Sequence, residues 1–532
     1  MNVLLMNPPV QTAYPGEDAQ DSLGILYLAA TLQEKGMDVR LLDSSQERAS
    51  WRDVAKSIGS YSPDVVGITC TTATRFPAFR LAKMIKRIRR DATVIIGGPH
   101  VSMVPEETLS CVKDIDIVVA GEGEVALQNI LEALAGKKRL PDMPGIFSRE
   151  KGAISGSGFC PPVEDLAVLP LPARHLLSKY RDRKTGMYTT PNQTLGGENV
   201  PMSTTPIMTT RGCPFGCAFC STSHFWGKRN RMRPVESVVE EMEHVVREYR
   251  QSLFYIHDDT FNMSVERVFD ICDQLAKKKL GIRFSCNLRV DNVTRDMLAK
   301  MKEAGCYYVA FGVESGSKRV LDEVIGKGKV DKEKARNTAR WCDELGITRQ
   351  ANFLYSLPTE TAEEVGETIK FSQELGGRQI FSPTKIFPGT KVETMARHMG
   401  VLPQDFSWSR KRIMKYAYPT DNVYVPIFVD TRKLSWAQIC AVFRWYSRSE
   451  SSSASVRDYL RTYVNRIRGI TSIIDLLQFC VTLFQMVNAY ATIAYWKFKG
   501  KNAASALVRA VLWPDEKSQG CKPGQQNRGS LI

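Results

Sequence analysis

The sequence predicts an α/β protein with two successive parallel sheets and a helical carboxyl-terminal region. Short apolar runs alternate with helix-length segments twice, first before residue 145 and again between residues 201 and 424. Parallel strands need crossover connections, which are usually helices, so this alternation favours sheets covered by helices. After about residue 425 the alternation stops, and the chain becomes rich in arginine and aromatic residues in a pattern typical of helices.

The first series predicts a doubly wound parallel sheet within residues 1–145. Its apolar runs have the length of buried strands. Glycine or proline follows most of them, as at Pro8, Gly97 and Gly121. Ligands of such sheets bind at the carboxyl ends of the strands, where glycine lets them approach the backbone. The predicted strands are 3–6, 39–43, 64–69, 93–96 and 115–119.

The second series predicts a partial (β/α)6 barrel within residues 201–424. Residues 146–200 separate it from the first series; they lack clear periodicity and contain several prolines, which predicts a linker. Active sites of α/β barrels lie at the carboxyl ends of the strands. The six predicted strands are 206–209, 253–256, 282–285, 307–311, 350–354 and 379–381.

The charge distribution and the cysteine content suggest an intracellular protein with a basic end. The net charge of the 532 residues is +15, and residues 401–532 contribute +11 of it, from 19 basic and 8 acidic residues. The 13 cysteines have no regular spacing, and no signal peptide is visible after Met1. We therefore expect a cytoplasmic protein without a disulfide framework. The basic residues do not form a recognisable nucleic-acid-binding module, so no nucleic acid partner is expected.

The carboxyl-terminal quarter predicts contact with apolar material. Residues 476–496 carry no charge, and their polar side chains recur at steps of three and four, which predicts an amphipathic helix rather than a membrane span. Basic residues on both sides would suit a membrane surface. We expect a helical region at 425–513 that binds a lipophilic substrate or a membrane surface, and a disordered tail at 514–532.

Three cysteines in one short segment are the most specific feature of the sequence. Cys213, Cys217 and Cys220 lie in the run Arg-Gly-Cys-Pro-Phe-Gly-Cys-Ala-Phe-Cys, directly after a predicted strand. Thiolates are ligands of iron–sulfur clusters and of zinc. A structural zinc ion usually takes four ligands, and His224 is near enough in sequence to keep that alternative open. Three thiolates on a four-iron cluster leave one iron free to bind a substrate.

This segment resembles the radical S-adenosylmethionine superfamily, and the preceding parallel domain is similar to the cobalamin-binding domain of one branch of it. The segments 256–261, 311–317, 356–361 and 387–390 resemble further motifs of that branch. The resemblance implies a [4Fe-4S] cluster on the three cysteines and S-adenosylmethionine beside it. The residues implied for S-adenosylmethionine are Phe219, Asp258, Asp259, Arg289, Glu314 and Ser315.

Each implied residue has a plausible role. Asp258 or Asp259 would accept a hydrogen bond from the methionine ammonium group. Arg289 would pair with the methionine carboxylate. Glu314 and Ser315 would contact the nucleoside, and Phe219 would shield the cluster from water.

The resemblance also implies cobalamin in the first domain. The Asp-x-His-x-x-Gly pattern that supplies a cobalt ligand in many cobalamin proteins does not occur in the chain. The lower axial ligand therefore stays open. The contacts expected from their positions after the strands are Pro8, Pro9, Gly24, Thr71, Thr72, Gly97, Gly98, His100, Gly121 and Gly123.

Together these features imply an enzyme that cleaves S-adenosylmethionine reductively and methylates an unactivated carbon of a lipophilic small molecule. An electron donor such as flavodoxin or ferredoxin would be its protein partner. Two alternatives stay open: a cobalamin-dependent radical cyclase that resembles the anaerobic ring-forming enzyme of chlorophyll synthesis, and a non-catalytic zinc-binding protein.

Overall fold

The computed structural model describes most of the chain up to residue 412 and little beyond it. The described residues are 1–9, 21–44, 47, 49–136, 139–140, 142–150, 152–178, 180, 192–195, 198–201, 204–412, 425–429, 473–474, 476–477 and 480–481. The predicted helical region at 425–513 lies largely outside these residues, and the predicted tail at 514–532 lies wholly outside them.

Within the described residues, the first sheet has seven strands in the order β2-β1-β3-β4-β5-β6-β7. The first five are parallel to one another, and β6 and β7 extend the sheet in the antiparallel sense. The strands are β1 (Val3–Asn7), β2 (Val39–Asp43), β3 (Val65–Thr69), β4 (Thr93–Gly97), β5 (Ile117–Val119), β6 (Ile146–Glu150) and β7 (Ala153–Ser155). The two added strands lie in the segment for which the sequence predicted a linker.

Helices cover both faces of this sheet, as the sequence predicted. Alternate residues of β1 show the division: Leu4 and Met6 pack in one apolar cluster, and Val3 and Leu5 pack in another. The helices are α1 (Leu23–Glu34), α2 (Trp51–Tyr61), α3 (Arg75–Ile88), α4 (Pro99–Met103), α5 (Pro105–Cys111) and α6 (Glu124–Ala135). The first cluster lies under α2 and α3, and the second lies under α1 and α6.

The chain also forms two short antiparallel pairs that are separate from the large sheets. The first pair is β8 (Asn192–Leu195) with β9 (Glu198–Pro201). The strands β10 (Thr205–Ile207), β11 (Thr210–Arg211) and β12 (Arg231–Met232) follow, and β11 pairs with β12. The 3-10 helices Leu166–Val168 and Arg174–Leu176 lie between the two halves of the chain.

The second sheet is parallel throughout and has the order β10-β13-β14-β15-β16-β17. This is the strand series of the predicted partial barrel. Its remaining strands are β13 (Leu253–Ile256), β14 (Arg283–Leu288), β15 (Cys306–Glu314), β16 (Thr348–Tyr355) and β17 (Arg378–Pro383). The pairing of β15 with β16 shifts by one residue between Gly312 and Glu314, where β15 ends.

Helices pack on the outer face of this sheet, where alternate strand residues such as Phe284, Phe311 and Phe353 enter one large apolar cluster. The helices of this half of the chain are α7 (Thr222–Phe225), α8 (Val235–Tyr249), α9 (Val265–Lys278), α10 (Arg295–Glu303), α11 (Lys332–Glu344), α12 (Ala362–Leu375) and α13 (Lys391–His398), of which α8 to α12 contribute to this cluster. Short turns are the 3-10 helices Phe261–Met263 and Val290–Asn292 and the π-helix Val320–Ile325.

The end of the described chain packs back on both domains. Residues 425–429 lie beside the end of β17, where Phe428 N donates to Thr384 O over 2.8 Å. The segment 407–409 contacts the first domain through Glu107, whose carboxylate accepts hydrogen bonds from Ser407 and Ser409. None of the helices among the described residues is both long and apolar enough to cross a membrane.

Candidate active site

A cavity lies between the carboxyl ends of the first sheet and the start of the second domain. It contains about 810 Å³ of empty space, part of it open to solvent. The first domain contributes the ends of β1, β3, β4 and β5 and the start of α1. The second domain contributes Met208, Arg211, Phe225 and Trp226.

Half of the residues predicted to contact cobalamin line this cavity; they are Gly24, Gly97, Gly98, Gly121 and Gly123. At Gly24 a β-carbon would meet no atom within 4 Å, so the missing side chain leaves room in the cavity. At Gly98, where φ is +102°, a β-carbon would lie 2.8 Å from the Cys70 carbonyl oxygen, so only glycine fits.

The other predicted cobalamin contacts do not line this cavity. Pro8 and Pro9 are buried after β1, and Thr71 is exposed. His100 is 1% exposed; its Nδ1 lies 3.2 Å from the Thr72 hydroxyl. Its ring packs edge-on against Trp408, and burial lowers the pKa of the imidazole well below its ordinary value. His100 is therefore a neutral, packed side chain in this structure.

The segment that carries the three cysteines is held from two sides at Ala218. Ala218 N donates to Ile325 O of the π-helix over 2.9 Å, and Val392 N of α13 donates to Ala218 O over 3.1 Å. Phe219 packs against the apolar clusters around Leu321 and around Trp408. The loop backbone is thus fixed by elements that follow it by more than a hundred residues.

The three thiols share one partly buried environment. Burial raises the pKa of Cys213, and the nearby Asp259, Cys220 and Cys217 raise it further. Burial also raises the pKa of Cys217, but the charges of Lys327 and Arg289 act in the opposite direction. Effects of this kind arise only between groups that lie near one another, so the three cysteines share one electrostatic environment. Among the described residues, no three Cys, His, Asp or Glu side chains converge closely enough to hold a single metal ion.

Arg289 lies against the cysteine loop, at the end of β14. Its guanidinium carbon is 3.5 Å from the centroid of the Phe215 ring. Nε and Nη2 donate to the two carboxylate oxygens of Asp291 over 3.0 and 2.8 Å. The residue is 7% exposed, and the ion pair and the aromatic ring fix the guanidinium beside the loop.

Glu314 ends β15 in a left-handed conformation, with φ at +71°. Its Oε1 accepts a hydrogen bond from Lys327 Nζ over 2.9 Å, and the same ammonium donates to Gly312 O over 2.8 Å. Both side chains are almost completely buried. The hydroxyl of Ser315 lies 3.1 Å from the Thr368 hydroxyl and accepts from Ser317 N, so it supports the turn after Glu314.

The two neighbouring aspartates have different environments. Asp258 is 1% exposed, and its carboxylate accepts hydrogen bonds from the backbone of Thr209 and Thr210 and from the Thr209 hydroxyl. Burial nevertheless raises its pKa to about 6. Asp259 accepts from the Thr222 hydroxyl over 2.9 Å and faces the cysteine loop, where desolvation raises its pKa. Asp258 therefore holds the backbone that leads into the cysteine loop, and Asp259 is the more accessible carboxylate.

Sequence reasoning did not assign Lys327, Glu122 or Arg211 to the site. The last two line the cavity and pair with each other, while Lys327 holds Glu314. Glu122 and Arg211 stand inside the two motifs that the sequence analysis identified, but nothing in the sequence shows that the motifs meet. Lys327 stands in a run of glycines and lysines with no periodicity.

Two family profiles match the chain, and they divide it as the two sheets do. The profile described as "B12 binding domain" matches residues 16–131, and the profile described as "Radical SAM superfamily" matches residues 207–372. An uncharacterized methyltransferase of Pyrococcus horikoshii is 34% identical over 397 residues, which cover 74% of this chain and 82% of that protein. The chain therefore belongs to the radical S-adenosylmethionine superfamily, in the group whose members also carry a B12-binding domain.

Other relatives differ in activity and in length. The anaerobic magnesium-protoporphyrin IX monomethyl ester cyclase of Rubrivivax gelatinosus is 28% identical over 359 residues, which cover 66% of this chain and 61% of the cyclase. Among solved structures, the radical S-adenosylmethionine methyltransferase TsrM of Kitasatospora setae, with cobalamin and a [4Fe-4S] cluster bound, matches 92% of this chain and 99% of its own. The TM-score is 0.66 at 18% identity, which shows a common fold.

The chain is thus a cobalamin-dependent radical S-adenosylmethionine enzyme, and its cofactors are an iron–sulfur cluster, S-adenosylmethionine and cobalamin. The described residues fit these groups. The glycine-lined cavity leaves space at the carboxyl edge of the B12-binding domain, and one short loop supplies the three cysteines. Membership of this family excludes the zinc-binding alternative.

Proposed function

We propose that this enzyme transfers a methyl group from S-adenosylmethionine, through cobalamin, to an unactivated carbon of a small molecule. The observation that carries the proposal is the position of the cavity. Its walls come from the B12-binding domain and from Arg211, Phe225 and Trp226, which flank the three cysteines in sequence. A ligand of the first domain would therefore lie next to the part of the second domain that holds the cluster.

The residues of the chain would bind and orient the reactants. Cys213, Cys217 and Cys220 would hold the cluster, with Phe219 packed beside it. When both cofactors are bound, the cluster would supply the electron that cleaves S-adenosylmethionine, and cobalamin would supply the methyl group. The chain's own contribution is to hold the reactants in place and to keep water out.

Charged groups on the strand ends would orient S-adenosylmethionine. Asp259 would accept a hydrogen bond from its ammonium group, while Asp258 fixes the backbone at Thr209. Arg289 would pair with the methionine carboxylate through the N–H groups that Asp291 does not bind, while Phe215 covers one face of the guanidinium. Glu314, held by Lys327, would accept hydrogen bonds from the ribose.

The proposal is tested with protein reconstituted anaerobically with iron, sulfide and cobalamin, and supplied with a reductant and methyl-labelled S-adenosylmethionine. Because the substrate is unidentified, the probe is a small-molecule extract of cells that lack the enzyme. We expect 5′-deoxyadenosine and a labelled product. Formation of 5′-deoxyadenosine without label in any product would contradict methyl transfer. A variant with alanine at all three cysteines is the control and should form neither.

A cobalamin-dependent cyclase is the second candidate, because the cyclase of Rubrivivax gelatinosus is among the relatives. The same cavity and cysteine loop would serve it. Product mass separates the two functions, since methyl transfer adds a methylene unit and ring closure does not. An unlabelled product whose mass lacks this increment would favour the cyclase.

We further propose that the substrate is lipophilic and reaches the enzyme from a membrane surface. Ile474 packs against the apolar cluster around Trp408, whereas Ile473, Leu476 and Leu477 are 74%, 46% and 45% exposed. Exposed apolar side chains beside a basic region favour lipid contact. Flotation with anionic vesicles tests this: serine at the three exposed positions should abolish flotation, and flotation that persists would contradict the proposal.

The electron donor and the compartment follow from the same chemistry. A low-potential cluster and reduced thiols are maintained in the cytoplasm, so we propose that the enzyme works there. A flavodoxin or ferredoxin would supply the electron. Reduced flavodoxin should support 5′-deoxyadenosine formation in place of a chemical reductant.

A further inference from the structure

A single carboxylate of the B12-binding domain binds two arginines of the radical domain. Glu122 follows β5, and its Oε2 accepts a hydrogen bond from Arg211 Nη1 over 2.8 Å. Its Oε1 accepts from Arg231 Nη2. All three side chains are only 2–3% exposed, so these ion pairs are shielded from solvent. Arg211 makes a second pair, with Glu124 over 2.7 Å.

The two arginines mark the two ends of the cysteine loop. Arg211 of β11 lies opposite Arg231 of β12, so the antiparallel pair closes the segment 212–230 at its base. Asn230 Nδ2 donates to Gly212 O over 2.7 Å and adds to this closure. Because one carboxylate binds both arginines, Glu122 holds together the two ends of the loop that carries Cys213, Cys217 and Cys220.

The same residues form one wall of the cavity. Glu122, Arg211 and Trp226 all line it. The Arg211 guanidinium lies 4.9 Å from the centroid of the Trp226 ring, and Trp226 O accepts a hydrogen bond from Arg231 over 3.0 Å. A molecule that fills the cavity therefore touches the residues that close the cysteine loop, and an ordered loop in turn fixes the wall of the cavity.

We propose that Glu122 is a positioning residue that couples the two cofactor sites, so that cobalamin in the cavity and the cluster on the loop bind cooperatively. The inference rests on the proposed placement of cobalamin in the cavity but not on methyl transfer. Coupling between two binding events is reciprocal, so each cofactor should strengthen the binding of the other by the same factor. The effect requires both ends of the loop to be held by one group.

The test is the affinity of the full chain for hydroxocobalamin, measured by equilibrium dialysis with the cluster reconstituted and with the cluster removed. We expect the cluster-loaded protein to bind about fivefold more tightly or better, and Glu122→Gln to bring this ratio close to one. Equal affinities in the two forms of the wild-type protein would overturn the proposal. An undiminished ratio in Glu122→Gln would also overturn it.

Three further variants separate this role from a general loss of structure. Glu164→Gln removes an exposed pair with Arg229 of the same loop and should leave the ratio unchanged. Glu124→Gln leaves both ends of the loop bound to Glu122, so the ratio of cobalamin affinities with and without the cluster should stay well above one. A ratio of one in this variant would contradict the role of Glu122 in holding both ends. Arg231→Gln releases one end and should lower the ratio, and it serves as the test if Glu122→Gln does not fold.

The measurement is independent of turnover. If the enzyme proves to be a cyclase, the cooperative binding should still be found. If cobalamin binds with the same affinity whether or not the cluster is present, the proposed coupling is wrong, but the proposed function is unaffected.

Discussion

Lys327 and Glu314 form a buried ion pair, with Nζ 2.9 Å from Oε1, at the point where β15 ends. Two residues before Lys327, Ile325 O accepts the hydrogen bond from Ala218 N in the cysteine loop. The segment from the π-helix to Lys327 thus contacts both the cysteine loop and the carboxylate proposed for the ribose. π-Helical turns occur frequently at functional sites, and here the turn lies between two parts of the site proposed for S-adenosylmethionine.

Replacement of Lys327 should weaken both the fold and the binding of S-adenosylmethionine. Lys327→Met leaves the Glu314 carboxylate buried without its cation, which costs roughly 3 kcal/mol of stability. We expect roughly tenfold weaker binding of S-adenosylmethionine, measured by equilibrium dialysis of the reconstituted protein. Lys327→Arg should retain part of the wild-type affinity for S-adenosylmethionine.

Lys318→Met is the matched control, because Lys318 pairs with Asp322 on the surface and its side chain is 85% exposed. It should leave binding unchanged. The change in the electron paramagnetic resonance signal of the reduced cluster on addition of S-adenosylmethionine gives a second readout. If Lys327→Met keeps both the affinity and this change, Lys327 has no positioning role.

A side chain at Gly312 should displace the ion pair between Glu314 and Lys327. A β-carbon there would lie 2.1 Å from Glu314 Oε1 and 2.8 Å from Lys327 Nζ. Gly312→Ala should therefore displace the ion pair and reproduce the effect of Lys327→Met on S-adenosylmethionine affinity. Gly59→Ala is the control, since the nearest atom to its β-carbon would be 4.0 Å away. Wild-type affinity for S-adenosylmethionine in Gly312→Ala would show that the position of the ion pair between Glu314 and Lys327 does not affect this binding.

A large side chain at position 24 should block cobalamin and spare the cluster. Gly24 lines the cavity near the start of α1, and its β-carbon would meet no atom within 4 Å. Gly24→Phe should project an aromatic ring into the cavity and weaken hydroxocobalamin binding by roughly tenfold or more. Iron content after reconstitution is measured in parallel and should stay close to the wild-type level. A small decrease is expected only because the coupling through Glu122 makes cluster binding depend on cobalamin. Unchanged cobalamin affinity would place the cofactor elsewhere.

Two carboxylates after β16 should give opposite pH dependences of stability. Burial raises the pKa of Glu360 to about 8. Below the ordinary carboxyl pKa, Glu360 is protonated in both the folded and the unfolded protein. As the pH rises from there to about 8, the carboxyl group ionises only in the unfolded protein, so the folded state is increasingly destabilised. Glu360→Gln should therefore stabilise the protein by a few kcal/mol at pH 8.5 and by much less at pH 4.5.

Glu364 provides the opposite sign. Burial alone would raise its pKa, but hydrogen bonds, chiefly from Arg319, lower it to about 2. The stabilisation by Glu364 is present above the ordinary carboxyl pKa and is lost as pH falls toward 2, so Glu364→Gln should destabilise the protein most at neutral pH. Urea unfolding midpoints of both variants across pH measure these effects. The same sign for the two variants would contradict the assigned environments.

The sequence predicts both parallel sheets because buried parallel strands are short apolar runs followed by glycine. β1 and β4, for example, differ from the predicted strands by a single residue at one end. It does not predict β6 and β7, because they lie at the sheet edge, where the alternating exposure of residues such as Ala153 and Ile154 weakens the apolar signal.

Local motifs identify the cysteine loop and the cavity glycines, because each of these features is made of residues that are close together in the sequence. Long-range pairs leave no such signal. Glu122 and Arg231 are separated by 109 positions, and only the docking of two domains brings them together. His100 stays a predicted cofactor contact from its place after a glycine-rich turn, and the sequence gives no sign that its ring packs edge-on against Trp408.

The most direct test of the account is the cofactor content of the full chain after anaerobic reconstitution and removal of unbound material. We predict about four iron, about four sulfide and an equimolar amount of cobalamin per chain. We also predict that a variant with alanine at Cys213, Cys217 and Cys220 loses the iron and sulfide. Iron retained by that variant at the wild-type level, or a wild-type chain that keeps no cobalamin, would contradict the account.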